Sequence, residues 1–335
     1  MKKTMKALNL HAVGDLRLDE LPVAETQDDE VLVRVAYCGI CGSDIPRVFD
    51  KGTYHFPTVI GHEFSGTVEY DPKGELTGKR VAVFPLLPCF ECESCKAENY
   101  ALCSNYDYYG SRRDGAMAEY ISVKRWNILT LPDSVSLAAG AMCEPSAVAC
   151  HAVKKLGDLT GKSLLISGAG PIGLIAAMWA TNKGAEKVYF FDLDERKIKA
   201  ARELGFYEYE DGIDVDVSIE GTGAGAALAR CLKALKPFGQ IVLMGNPSRG
   251  IELSQQEYWY ILRKELRLLG TWNSSFGEIQ NDWRDAISAM SERIITPEKL
   301  ITHRIGINGD YMYAFEMMRD RTDFYQKVML EVEDK

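Results

Sequence analysis

The chain has no uninterrupted apolar run near the roughly twenty residues of a membrane-spanning helix, so no segment is expected to cross a bilayer. Its start, MKKTMKALNLHAVGDLRL, is basic but reaches Asp15 without the apolar stretch of about 7 to 15 residues that an export signal needs, and cytoplasm is the expected compartment. Positive charge is in deficit. With 39 Lys and Arg against 48 Asp and Glu the formal charge is -9, which repels nucleic acid and anionic membrane surfaces, although a local basic pocket can still hold a small anion. Cysteine is sparse for a disulfide scaffold: nine in 335 residues, in a reducing compartment, are not expected to form bridges. Internal repeats and low-complexity segments are absent as well. What remains is a composition of 46% hydrophobic and 26% charged residues and a length beyond one hydrophobic core. Two domains and a small-molecule substrate are the expectation.

The first third holds short runs such as EVLVRVAYCGI and GKRVAVFPLL, broken by Gly and Pro, which read as strands of a mostly β domain. Near Ser136 the texture becomes small and apolar at helical spacing, and a strand-helix rhythm follows. SLLISG, KVYFFD, DVSIEG, QIVLMG and LRLLGTW alternate with helices at about Ile172 to Lys183, Glu195 to Leu204, Ala224 to Leu235 and Ser254 to Leu262. Such alternation implies a parallel, doubly wound α/β sheet. After Trp272 we expect a helix around Ile279 to Ser291, a strand in ITHRIGI, a helix near Tyr311 to Arg319 and a closing strand QKVMLEVE that returns to the first domain. The expected domains are therefore 1-146 with 273-335, mostly β, and 147-272, α/β.

Between SLLIS and the apolar helix after it stand Gly168, Gly170, Pro171, Ile172 and Gly173. In a strand-turn-helix context these glycines allow a tight turn, close approach of a pyrophosphate to the backbone, and close packing of helix on strand. Asp192 ends the next strand, where a carboxylate can hold the adenosine ribose hydroxyls and repel the extra phosphate of NADP. NAD is the expected cofactor, with Arg196 the one nearby group that argues for NADP.

Cys89, Cys92, Cys95 and Cys103 lie in one polar loop, a lobe of about residues 86-106, at a spacing that lets four thiolates close a tetrahedral zinc shell. An iron-sulfur cluster also takes four thiolates, but the loop is short and polar and no partner motif accompanies it. A second set is dispersed: Cys41 in CGICGSD, His62 and Glu63 in GHEFSG, and Glu144 in CEPSA. Mixed sulfur, nitrogen and oxygen donors with one position left open suit a catalytic zinc.

In this order, the glycine-flanked cysteine, GHEFSG, the four-cysteine loop, EP near the domain joint and the glycine turn resemble the zinc-dependent medium-chain dehydrogenase family over nearly the whole chain. GSDIPRVF, PLLPCF, GSRRDGAMAEYISVK and ILRKELRLLGTW look like its polyol dehydrogenase branch. The resemblance implies a GroES-like catalytic domain, a Rossmann domain and a substrate cleft between them. It implies two zinc ions per chain, the catalytic one held by Cys41, His62 and Glu144, with Glu63 beside it or exchanging with a ligand. Ser43 would relay the substrate proton. Many relatives carry a histidine where this chain has Pro46, which leaves the onward proton route open. The segment GFYEYEDGI is also shorter than the family usually allows, so one sheet face is expected to be thinly covered. Arg112 and Arg113, with Arg47 and Lys51, are candidates to hold a substrate phosphate; Trp272 and Asn273 complete the substrate candidates. The competing expectation pairs Arg112 or Arg113 with Asp114 or Glu119. The implied reaction is oxidation of a secondary hydroxyl of a hexitol phosphate to a ketose phosphate. Alternatives are an unphosphorylated polyol of the sorbitol or iditol type, L-threonine, or a nucleotide-binding relative without turnover. A homodimer or homotetramer is implied, joined at sheet edges, with GQIVLMGNP as the expected pairing strand.

Overall fold

The computed structural model describes residues 2–332, which form two compact units: residues up to Glu144 together with those from Ser275 onward, and Pro145–Ser274. In the first unit Glu30–Ile40 is buried along most of its length because strands flank it on both edges. Glu63–Tyr70 runs antiparallel along one edge. The other edge is shared, Tyr120–Lys124 pairing with residues 30–34 and Lys327–Glu331 with residues 37–40. The closing strand therefore does return to the first unit. Arg80–Val83 and Ile128–Thr130 extend the sheet on one side and Ile301–Gly306 on the other. Ile301–Gly306 is parallel to Lys327–Glu331, which requires a crossover, and the helix Tyr311–Asp320 supplies it. A smaller sheet of Asp15–Pro22, Thr4–Ala12 and Thr58–Val59 completes the β structure. Val33, Phe64, Val81, Met117, Phe315 and Val328 belong to one core, each full burial of such a side chain being worth about 1.5–3 kcal/mol.

Two local features set up the sites. Leu86–Leu87 pairs with Asp107–Tyr108 and closes the cysteine loop, inside which lie the short helix Glu93–Lys96 and the turn Tyr100–Leu102. In the central sheet, Gly39 is opposite Glu63 and Ile40 opposite Val328, so three strand ends meet beside Cys41. The helix after Trp272 is shorter than expected, Asp282–Ser291. Asn281 caps it by accepting from the Arg284 amide at 2.9 Å, and a bridge from Phe276 to Asn281 holds the preceding residues in a loop.

The second unit is a six-stranded parallel sheet in the order Tyr207–Glu208, Lys187–Phe191, Ser163–Ser167, Val215–Glu220, Leu235–Leu243, Arg267–Gly270. Its helices are Pro171–Asn182, Glu195–Glu203, Gly225–Ala234 and Gln255–Arg263. The order reverses between Ser163–Ser167 and Val215–Glu220, the place where open α/β sheets bind ligands. One expectation is corrected here. GQIVLMG forms the inner strand Leu235–Leu243, flanked on both sides, so its backbone is spent within the sheet; the edges are Tyr207–Glu208 and Arg267–Gly270. Only residues 209–214 lead from the edge strand Tyr207–Glu208 to Val215–Glu220, leaving no room for a helix. Aromatic rings fill in: Tyr189 against Tyr207, Phe191 against Tyr209, with the Arg230 guanidinium 4.5 Å over Phe191 and 5.1 Å over Tyr209.

Candidate active site and metal centres

Cys41 follows the central strand, and His62 and Glu63 open the strand opposite; one ligand atom from each lies within 4.8 Å of the other two. The expected ligands are Cys41, His62 and Glu144, with Glu63 beside them or exchanging with one. Glu63 is the carboxylate within that distance and is ion-paired to Lys327 from the neighbouring strand end, while Glu144, near the start of the helix Cys143–Lys155, is buried close enough to feel the charges of Glu63 and His62. Burial first, then the charge of Glu63, pushes the Glu144 carboxyl up to about 7. Burial, with Glu63 and Asp44, pushes the Cys41 thiol up to about 12. Donors whose ionised forms are held back by burial and by one another in this way fit a divalent cation, which would favour those ionised forms.

Asp44, Arg47 and Lys327 support the donors. Asp44 is fully buried, accepts from the Cys41 amide at 3.0 Å and lies 3.5 Å from His62 Nδ1, leaving Nε2 as the ring's other ligand atom. Arg47 donates to Asp44 at 2.8 Å and to the Ser43 hydroxyl at 3.0 Å. Lys327 also donates to the Ile40 carbonyl at 3.0 Å, and its attraction to Glu63 and Cys41 outweighs burial and raises its pKa. Gly39 leaves the space that Lys327 and Glu63 occupy, since a Cβ there would meet the Lys327 Cε at 2.7 Å. Sequence reasoning did not single out Asp44 or Lys327. The signal for Asp44 was its place in CGSD, and for Lys327 a lone cation inside an apolar strand.

The four loop cysteines also bring their sulfurs within 4.8 Å of one another. Cys89 and Cys95 sulfurs are 3.9 Å apart, near the edge length of about 3.8 Å for a tetrahedron with zinc–sulfur bonds of 2.3 Å. The amides of Cys89 and Asn105 donate to the Cys103 sulfur at 3.3 and 3.4 Å. Donation from the Ser104 and Cys95 amides lowers the Cys92 thiol to about 6, so one ligand is readily a thiolate. The set fits a closed zinc site with no position for substrate.

In the second unit Gly168 has φ +89°, and Gly170, where an added Cβ would meet nothing within 4 Å, leaves an open cradle ahead of Pro171, Ile172 and Gly173 at the helix start. Asp192 accepts from the Ala169 amide at 2.8 Å and the Asp194 amide at 3.0 Å, so its carboxylate is fixed against the turn. Arg196 is gripped by Asp194 at 2.9 and 2.8 Å. These residues fit a dinucleotide. Glu220, at the end of its strand, accepts from Ser167, Thr222 and Gly223 and orders the next loop; nothing in the sequence pattern flagged it.

The substrate candidates separate. Arg113 is paired, but with Asp107 at 2.6 Å rather than with Asp114 or Glu119, and Glu119 is paired with Lys2. Arg47 is taken by Asp44. Arg112 lies between the rings of Tyr54 and Tyr106, 4.2 and 4.5 Å from their centroids. Trp272, half exposed, and Asn273, with φ +53°, follow the strand Arg267–Gly270 in the second unit.

Residues 27–133 match the model of the alcohol dehydrogenase GroES-like domain, and residues 171–292 that of the zinc-binding dehydrogenases. The galactitol 1-phosphate 5-dehydrogenase of Escherichia coli K12 is 34% identical, covering 94% of this chain and 96% of that protein. A sorbitol dehydrogenase of Bombyx mori is also 34% identical, covering 89% and 91%. The crystal structure of galactitol-1-phosphate dehydrogenase from Escherichia coli superimposes with a TM-score of 0.89 at 33% identity, covering 98% of this chain and all of that one.

Proposed function

The chain belongs to the zinc-binding dehydrogenase family built on an alcohol dehydrogenase GroES-like domain, and we propose that it oxidises a secondary hydroxyl of a polyol phosphate, galactitol 1-phosphate or a close relative, to the ketose phosphate. The observation that carries this reading is the convergence of Cys41, His62 and Glu63 within 4.8 Å, with Glu144 buried beside them. Cys41 and His62, with a carboxylate from Glu63 or Glu144, would hold the catalytic zinc; Cys89, Cys92, Cys95 and Cys103 would hold a structural one. A zinc ion in the open site supplies Lewis acidity that makes a substrate hydroxyl more acidic. Asp44 lies 3.5 Å from His62 Nδ1, placed to orient the ring, and Lys327 offsets the charge of Glu63. Ser43 is exposed and held by Arg47, so it can take the substrate proton and release one to water, which answers for the histidine that Pro46 replaces. NAD, the hydride acceptor, is supported over NADP because Asp192 fills the ribose position and Arg196, committed to Asp194, is not free for a phosphate.

The likeness to a sorbitol dehydrogenase favours an unphosphorylated polyol as the second reading. NADH formation from galactitol 1-phosphate, galactitol, sorbitol and L-threonine, each with NAD and with NADP, tests both. The phosphorylated polyol with NAD is expected to give the highest kcat/KM, and equal rates on galactitol and its phosphate exclude the phosphate reading. Metal analysis is expected to find two zinc ions per chain; one ion would favour a relative without turnover. We further propose a homo-oligomer. The edge Arg267–Gly270, unpaired on one side among the described residues, supports pairing there, and a monomeric mass in solution would oppose it.

A further inference from the structure

Arg112 differs from the other arginines near the candidate site. Arg47 and Arg113 each face a carboxylate, at 2.8 and 2.6 Å, whereas among the described residues no carboxylate pairs with Arg112. Its guanidinium carbon instead lies over the rings of Tyr54 and Tyr106, 4.2 and 4.5 Å from their centroids, and one N–H is spent on the Tyr54 hydroxyl at 3.2 Å. The neighbouring Asp114, which could have neutralised it, accepts from the Val59 amide at 2.9 Å instead. Ring contacts of this kind hold a guanidinium in place while its planar edge, a fork of N–H donors, still matches a phosphate.

The clamp is built rather than accidental. The Tyr54 amide donates to the Ser111 carbonyl at 3.3 Å, and His55 Nε2 lies 3.2 Å from the Arg112 carbonyl, so residues 54–55 dock on the backbone that carries Arg112. Tyr106 comes from the chain leaving the cysteine loop. A run of side chains connects the clamp with the metal donors: His62 to Tyr108 at 5.7 Å, Tyr108 to Tyr106 at 6.3 Å, Tyr106 to Arg112 at 4.5 Å.

We propose that Arg112, held against the rings of Tyr54 and Tyr106, is the anion anchor by which the protein prefers a polyol phosphate to the free polyol. This rests on the dehydrogenase reading above and adds to it the residue that recognises the phosphate. The test compares wild type, Arg112→Ala and Arg112→Lys on galactitol 1-phosphate and on galactitol, with inorganic phosphate as an inhibitor of the galactitol reaction and zinc content as a check on integrity. Arg112→Ala is expected to lower kcat/KM on the phosphate by about 100-fold, mainly through KM, while activity on galactitol and zinc content stay within about 3-fold, because charge-assisted donors to the phosphate are lost and nothing at the metal changes. Arg112→Lys keeps the charge but not the planar fork and is expected to lose about 10-fold. Inhibition by inorganic phosphate weakens in step. An unchanged KM for the phosphate in Arg112→Ala with wild-type zinc content overturns the anchor. A wild type that does not distinguish galactitol from its phosphate overturns the polyol-phosphate reading itself, a separate result.

Discussion

The two groups of candidate metal ligands are made in opposite ways. Cys89, Cys92, Cys95 and Cys103 come from one loop, use a single donor type, and are served by local amides such as those of Ser104 and Asn105. Cys41, His62, Glu63 and Glu144 come from strand ends and a helix start far apart in the chain, differ in chemistry, and need Asp44, Arg47 and Lys327 to balance them. A closed cage can be written into a short stretch because its ion does nothing but hold the stretch together. An open site must bury charge and leave a position free, and only a folded sheet can arrange the partners that this requires.

The largest expected effect separates the two by readout. His62→Ala should reduce kcat/KM by at least about 10³-fold and remove one of two zinc ions, with protease sensitivity inside residues 86–106 unchanged, because the ion lost is not the one that loop would hold. Cys95→Ser should also remove one ion, yet show its effect as faster proteolysis inside residues 86–106. Unchanged protease sensitivity would mean that the loop does not depend on its ion. Lys327→Met comes next. It leaves Glu63 buried without its cation, and breaking such a pair costs about 3–5 kcal/mol, so chemical denaturation of the metal-free protein should show a loss of that order that added zinc partly restores. A variant as stable as wild type would show that the pair is not what holds Glu63.

The same division explains what could be read before the structure. The parallel sheet, the glycine turn, Asp192 and the cysteine loop depend on neighbours close in sequence, and periodicity or spacing exposes them. The helices of the second unit begin and end within about two residues of expectation for the same reason. What escaped depends on register across the sheet. Lys327 reaches Glu63 because Ile40 faces Val328 and Gly39 faces Glu63, pairings some 290 and 24 positions apart in the chain that no local pattern announces. The inner place of Leu235–Leu243 is likewise a matter of strand order, and the late start of Asp282–Ser291 turns on Asn281 capping the helix in place of a periodic residue.

The smallest expected effect carries the contrast down to single carboxylates. Burial works to raise the Asp71 carboxyl, but donation from the Leu76 and Lys73 amides and the Arg125 guanidinium outweighs it and holds the group below the usual aspartate range. Glu144, among assembled anions, goes the other way, up to about 7. The signs therefore oppose. Asp71 adds stability that is present above the ordinary aspartate value of about 3.9 and is lost as pH falls through its lower folded value. Glu144 in the metal-free protein adds stability that is full below the ordinary glutamate value of about 4.3 and is lost as pH rises through about 7. Asp71→Asn should thus flatten the acid limb of the stability curve below about pH 4, and Glu144→Gln the limb between about pH 4 and 7 without touching the first. Denaturant midpoints across that range decide the matter: if both substitutions flatten the same limb, the locally served carboxylate and the assembled one are not distinct in kind.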